Sequence, residues 1–104
     1  MYHAIGSPDL VSDLNNVDPA VFERQMAFLK EHHYRVIPVS EYADGIRAGK
    51  RFSHDTVVIT FDDGYLDNYE KAYPVLKKYG FPAVIFVGVD NVGTKGRMTW
   101  DQLR

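Results

Sequence analysis

A continuous apolar run that ends in two adjacent acids constrains the fold of this chain more than any other feature. Residues 56–61 read Thr-Val-Val-Ile-Thr-Phe, and Asp62 and Asp63 follow directly. A strand that is apolar on both faces belongs inside a parallel sheet whose two faces are covered by helices. A second such run, residues 82–87, comes later in the chain. The two runs predict an α/β fold with parallel strands.

The acid pair at the end of the first run predicts a functional site. Two carboxylates a few Å apart repel each other, and a cation bound between them removes that cost. Because successive side chains of a strand point to opposite faces, both acids reach one site only if the chain leaves strand geometry there. Gly64 follows the pair and permits a sharp turn. Sites in parallel α/β folds lie at the carboxyl ends of strands, where this pair is expected.

Helical and strand patterns alternate along the rest of the chain, as expected for βαβ units. The predicted loops are residues 6–17 and 88–97, and the other predicted strands are Met1–Ile5 and Val36–Val39. The first predicted helix begins at Asp18-Pro19 and runs to about His33, and the second begins at Glu41 behind a Ser40 cap and runs to about Ala48. The third spans 66–79, with a kink at Pro74 and an end at Gly80. A fourth helix begins at Thr99.

Composition excludes several classes of function. A formal net charge of −2 gives no basic surface for nucleic acid. The absence of cysteine excludes disulfides, thiolate metal ligands and a cysteine nucleophile. No apolar stretch is long enough to span a membrane.

With the pair placed at a strand end, the chain resembles the polysaccharide deacetylases, the carbohydrate esterase family 4 that shares the NodB homology domain. The motif that carries the resemblance is Thr60-Phe61-Asp62-Asp63-Gly64-Tyr65. The opening Tyr2-His3 resembles the poly-N-acetylglucosamine deacetylase branch of the family. Further segments that follow the family are Tyr34-Arg35-Val36, residues 73–80, residues 82–87 and residues 99–103.

The resemblance implies a distorted (β/α) barrel, of which residues 1–104 would form the N-terminal portion as a single, truncated domain. It implies metal-dependent removal of N-acetyl groups, or O-acetyl groups, from a polysaccharide such as poly-N-acetylglucosamine, chitin or peptidoglycan. The implied cofactor is a divalent metal, zinc before cobalt, nickel or manganese. The implied location is outside the cytoplasm or at the cell envelope.

Residue roles follow from the same resemblance. Asp62 corresponds to the catalytic base, and Asp63 corresponds to a metal ligand. Tyr65 and His3 are candidates for substrate binding. For Tyr65 a packing role is weighted equally, and for His3 a hydrogen-bonded position in the core is the favoured alternative.

The family's other metal ligands come from a His-Ser/Thr-x-x-His motif, and this sequence contains no such motif. Catalytic zinc sites normally use three protein ligands and a water molecule. We therefore expect the 104-residue chain alone to be inactive. An open sheet edge beside residues 83–87 predicts that the chain self-associates.

Two alternatives stay open at this point. A receiver-like signalling module also holds Mg²⁺ with paired acids, although its pair belongs on the first strand. A non-catalytic remnant of a deacetylase is the other alternative.

Overall fold

A computed structural model describes all 104 residues of the chain. Its regular elements are short strands and helices, joined by loops and turns. The strands are β1 (Ala4–Ile5), β2 (Asn16–Val17), β3 (Arg35–Val36), β4 (Thr56–Val57), β5 (Thr60–Asp62) and β6 (Val84–Phe86). The helices are α1 (Pro19–Glu31), α2 (Val39–Arg47), α3 (Tyr73–Tyr79) and α4 (Trp100–Leu103).

All strand pairs are parallel, which confirms the predicted α/β class. They join β1 to β2, β3 to β4 and β5 to β6. A bridge between Tyr2 and Phe61 connects the start of the chain to β5. In the β5–β6 register, Thr60 lies beside Val84 and Asp62 lies beside Phe86. The parallel strands and the helices between them agree with the predicted partial (β/α) barrel.

The run 56–62 was expected to form one strand, but it divides into β4 and β5. Its first half bonds to β3, as the Ile37 amide donates to the Val57 carbonyl over 2.9 Å. Its second half lies between two other neighbours, since the Tyr2 amide donates to Thr60 and the Val84 amide donates to Ile59. The strand breaks because its partners change along its length.

The core lies between helix α1, the strands β1 and β5, and the helical segment that follows β5. Phe22 of α1 meets Tyr2 edge-on with ring centroids 5.0 Å apart, and Tyr2 stacks on Phe61 at 5.5 Å. Asp18 begins α1 as predicted, because its carboxylate accepts from the Ala20 and Val21 amides. The buried apolar cluster consists of Ile5, Phe22, Met26, Ile59, Phe61, Ala72 and Leu76.

Two segments before β4 differ from expectation. The predicted loop 6–17 contains β2, because the Asn16 side chain bonds to Ser7 and Leu10 and holds the loop closed against β1. Helix α2 begins at Val39, directly after Pro38, and no side chain caps it, so the Ser40 cap is wrong. The strand predicted over Val36–Val39 therefore ends at Val36.

The helix predicted over 66–79 is present, and Pro74 has a specific effect on it. Residues Asn68–Ala72 form a π-helical turn, in which the Tyr73 amide donates to the Asn68 carbonyl. Since Pro74 has no amide hydrogen, the wider turn fits a proline into the helix. Gly80 ends the helix at φ 69°, as predicted. The capping box at Thr99 is also confirmed.

The strand at 83–87 is less buried than expected. Ala83 and Phe86 are exposed, and Phe86 retains 54% of its accessible surface. The reason is that β6 pairs with β5 alone, which leaves its other edge open. None of the helices has the length and apolar character needed to cross a membrane.

Candidate active site

The acid pair lies where β5 turns away from the sheet. Asp62 is the last residue of β5, and its amide donates to the Tyr2 carbonyl over 2.9 Å. Asp63 already has a left-handed backbone, with φ 72°, and its amide donates to the Phe86 carbonyl over 2.9 Å. The turn therefore begins one residue before Gly64. A left-handed non-glycine residue is strained, and such residues concentrate at functional sites.

Gly64 is required at its position for two reasons. Its φ is 62°, which side chains rarely adopt. A Cβ atom there would lie 2.8 Å from Val87 Cγ1, so the turn passes close to the end of β6.

The turn brings both carboxylates to one cavity at the carboxyl edge of the sheet, as the position of the pair predicts. The cavity has a volume of about 510 Å³ and is open to solvent. Its lining consists of Met1, Thr60, Asp62, Asp63, Phe86, Val87 and Gly88. A larger cavity of about 740 Å³ lies under α1. Its lining contains no acid or histidine, so the smaller cavity is the better candidate for chemistry.

His3 lies beside the acid pair rather than in the core. Its Nε2 atom is 3.8 Å from Asp62 Oδ2, and 24% of its side chain is exposed. The hydrogen-bonded core position is therefore not what the structure shows. The 3.8 Å separation is longer than a hydrogen bond, so the imidazole and the carboxylate are neighbours without a direct bond.

Tyr65 is packed on one side by a residue that the sequence did not single out. The Arg97 guanidinium lies over the Tyr65 ring at 3.7 Å. The backbone supports this contact, because the Leu66 amide donates to Gly96 and the Met98 amide donates to Gly64. One face of the ring is thus covered by Arg97, and Tyr65 as a whole is half-buried, so packing accounts for part of its role.

Two further polar residues near the turn were also missed. Asp67 and Asn68 are the buried polar residues of the chain, 7% and 2% exposed. Asn68, Ala72 and Leu76 are buried at four-residue intervals. A polar residue on an apolar helical stripe was the available signal, since such positions normally hold apolar side chains.

Burial raises the pKa of the Asp67 carboxyl, and nearby groups oppose this shift. The Ile5 amide donates to Asp67 Oδ1 over 2.8 Å and, with the charges of Lys71 and Arg97, lowers the pKa. The charge of Glu70 adds to the upward shift. Asp67 is thus a buried acid immediately behind the turn.

The chain does not by itself hold the full ligand set of a catalytic metal site. No three His, Asp or Glu side chains lie close enough together to bind one ion. Asp62 and Asp63 offer oxygen ligands, and His3 is near Asp62. These residues fit part of a zinc site, which normally needs three protein ligands.

Comparison with known proteins decides the family. The sequence profile described as "polysaccharide deacetylase" matches residues 49–104, more than half of the chain, including the whole acid-pair turn. The chain belongs to the polysaccharide deacetylase family. This membership confirms the resemblance seen in the motif at 60–65 and leaves no support for a receiver-like module.

Individual relatives agree along most of the chain. YxkH of Bacillus subtilis (strain 168), which its name assigns to polysaccharide deacetylases, is 39% identical over 104 residues, covering 100% of this chain and 36% of that protein. A poly-beta-1,6-N-acetyl-D-glucosamine N-deacetylase of Staphylococcus aureus (strain MSSA476) is 35% identical over 88 residues, 85% of this chain and 30% of that protein. The chain therefore spans about a third of the length of these curated relatives.

A solved structure shows that the fold is shared. The Streptococcus pyogenes deacetylase PplD, solved in complex with acetate, superposes with a TM-score of 0.82 at 32% identity. The alignment covers 99% of this chain and 48% of PplD.

Proposed function

We propose that this chain is the part of a polysaccharide deacetylase that supplies the acid pair for hydrolysis of N-acetyl groups. The observation that carries the proposal is the turn at 62–64, which directs two carboxylates into one cavity next to His3. Family membership supports the reaction class, and the relative PplD was solved in complex with acetate, the acid that a deacetylation releases. The name of the Staphylococcus aureus relative supports poly-N-acetylglucosamine as substrate, ahead of chitin, peptidoglycan or an O-acetylated glycan.

In this proposal Asp62 is the general base. Water attacks the acetamide carbonyl carbon, and Asp62 accepts a proton from that water. The carbon–nitrogen bond then breaks, acetate leaves, and the glycan amine takes up a proton. His3, whose Nε2 atom is 3.8 Å from Asp62 Oδ2, and Tyr65, which follows the turn, are the proposed substrate contacts.

Asp63 is the candidate metal ligand that this chain contributes. A divalent metal, zinc before cobalt, nickel or manganese, would supply acidity to the attacking water. The remaining ligands would come from residues outside this chain, because its own residues form no three-ligand cluster. We place the protein at the cell envelope or outside the cytoplasm, where such polysaccharides lie.

Acetate release from acetylated chito-oligosaccharides and from poly-N-acetylglucosamine tests the activity. The protein at its full natural length should release acetate, and Asp62→Asn should abolish the release. The control is Asp90→Asn, which changes an exposed acid in the 3₁₀ turn after β6. Acetate release that survives Asp62→Asn contradicts the assigned base.

The 104-residue chain alone should hydrolyse these substrates no faster than buffer does, since one or two carboxylates do not define an open zinc geometry. Activity that disappears on Asp62→Asn would overturn this expectation and show that a second chain supplies ligands.

Metal preference is tested by calorimetric titration with zinc and with magnesium. Zinc should bind the full-length protein more tightly than magnesium, and Asp63→Ala should weaken zinc binding. Preference for magnesium would contradict the zinc assignment.

A further inference from the structure

A small buried polar cluster joins the helix behind the acid pair to β1 and to His3, the residue directly before β1. The Asn68 Nδ2 group donates to the His3 carbonyl over 2.8 Å. Asp67 Oδ1 accepts from the Ile5 amide over 2.8 Å and from Asn68 Nδ2 over 3.1 Å. We call Asp67 and Asn68 the β1 clamp, because their side chains bond to the backbone of His3 and Ile5 on either side of Ala4.

The clamp acts on the backbone of the residue whose side chain faces Asp62. His3 Nε2 is 3.8 Å from Asp62 Oδ2, and the His3 carbonyl is the group that Asn68 holds. Asp62 is itself bonded through its amide to Tyr2, the neighbour of His3. The position of the imidazole relative to the carboxylate therefore depends on residues 2–3, which are bonded both to Asn68 and to Asp62.

The clamp is a poor device for stability alone. Asn68 Oδ1 is buried and has no hydrogen-bond partner. A buried acceptor without a partner is unfavourable, and burial of the Asp67 carboxyl is unfavourable when it is charged. An apolar pair would avoid these two costs but would leave the Ile5 amide and the His3 carbonyl without these partners, so the advantage of the pair lies in the two backbone groups that it holds.

We propose that Asp67 and Asn68 are positioning residues, which fix strand β1 against the acid-pair turn so that the His3 imidazole keeps its place beside the Asp62 carboxylate. The proposal rests on the deacetylase function proposed above. It assigns no contact with substrate to either residue. Misplacement of a reacting group by about 1 Å can lower a rate roughly a hundredfold, so a clamp of this kind has a measurable effect.

The test compares variants that break the clamp with one that preserves it, in the protein at its full natural length. Asp67→Ala removes the acceptor for Ile5 and for Asn68. Asn68→Asp removes the donor to His3 while keeping the side-chain volume. Asp67→Asn retains an oxygen acceptor at the same place and is the conservative variant. Ser53→Ala is the matched control, because it removes the side-chain bonds from Ser53 to Asp55 and Thr56 in the loop before β4, which do not lead to β1 or His3.

Two readouts are measured for each variant. The first is the set of imidazole NMR resonances of His3, assigned with His3→Gln. The second is kcat and KM for acetate release. Asp67→Ala and Asn68→Asp should shift the His3 resonances and lower kcat by roughly ten- to a hundredfold, with a smaller change in KM. Asp67→Asn and Ser53→Ala should stay close to the original protein in both readouts.

Unchanged His3 resonances in a folded Asp67→Ala or Asn68→Asp variant would overturn the proposal. A loss of kcat in Asp67→Asn as large as in Asp67→Ala would also overturn it, because charge rather than the hydrogen bond would then be responsible. If the original protein releases no acetate, the proposed function fails, and the His3 resonances alone decide the clamp.

Discussion

The two sides of β5 differ in how completely the chain covers them. On the side of β1 and α1, Phe61 is 1% exposed and packs against Tyr2 and Phe22. On the side of β6 and α4, Phe86 and Trp100 remain 54% and 52% exposed. The acid-pair turn lies at the boundary, bonded to Tyr2 on one side and Phe86 on the other. We infer that the buried side gives the turn its rigid support, while the open side provides access and an unpaired edge.

The largest effect should come from paired phenylalanine substitutions on the two sides. Phe61→Ala should lower the free energy of unfolding by about 3–5 kcal/mol, since it empties a packed core position. Phe86→Ala should change it by less than about 1 kcal/mol, because half of that side chain already contacts solvent. Denaturant unfolding of the 104-residue chain measures both values. Equal losses would show that the two sides are equally packed.

Phe86→Ala also tests the open edge. An unpaired apolar edge recruits another strand, so the 104-residue chain should self-associate. Sedimentation should show weaker association for Phe86→Ala than for the original chain. A monodisperse monomer at high concentration would contradict the prediction.

A smaller effect is expected at the boundary itself. Gly64→Ala should cost about 1–3 kcal/mol, because alanine is strained at a left-handed φ and its Cβ would meet Val87. Adding Val87→Ala should recover part of the loss by removing the close contact, and thermal unfolding measures the recovery. A single Gly64→Ala variant as stable as the original chain would show that the turn is not held in this conformation.

The signals read correctly from sequence were local ones. Asp18-Pro19, Gly80 and Thr99 mark helix ends because their side chains or backbone conformations act on neighbouring residues, and each was confirmed. The acid pair could be placed at a strand end for the same reason, since the apolar run before it is continuous.

The features that were missed depend on contacts between distant residues. Strand β2 exists because Asn16 bonds to Ser7 and Leu10, which no periodic pattern reveals. Arg97 reaches Tyr65 because residues 96–98 pair with the turn. The β1 clamp joins Asp67 and Asn68 to a strand more than sixty residues earlier, so its partners could not be named from sequence.

The smallest predicted effect is the pH dependence of stability that comes from Asp67. Burial raises the pKa of its carboxyl in the folded chain. The protonated Asp67 carboxyl therefore contributes fully to stability below the unfolded pKa of about 4. This contribution is lost as pH rises through the pKa of Asp67 in the folded chain. Asp67→Asn removes this loss, so its stability relative to the original chain should increase as pH rises from about 4. Denaturant unfolding across a pH series measures the difference, and a difference independent of pH would contradict the raised pKa.

Hydrogen exchange of backbone amides in the 104-residue chain tests most directly the claim that the acid-pair turn is rigidly supported by the buried side. The amides of Ile5, Asp62 and Asp63 donate to Asp67, Tyr2 and Phe86. Their protection should approach that of Phe22 in the core helix, whereas Leu103 in α4 should exchange rapidly, since free energies of local opening follow burial. Exchange of these three amides as fast as that of Leu103 would contradict the rigid support, because the carboxylates would then lie on a mobile loop.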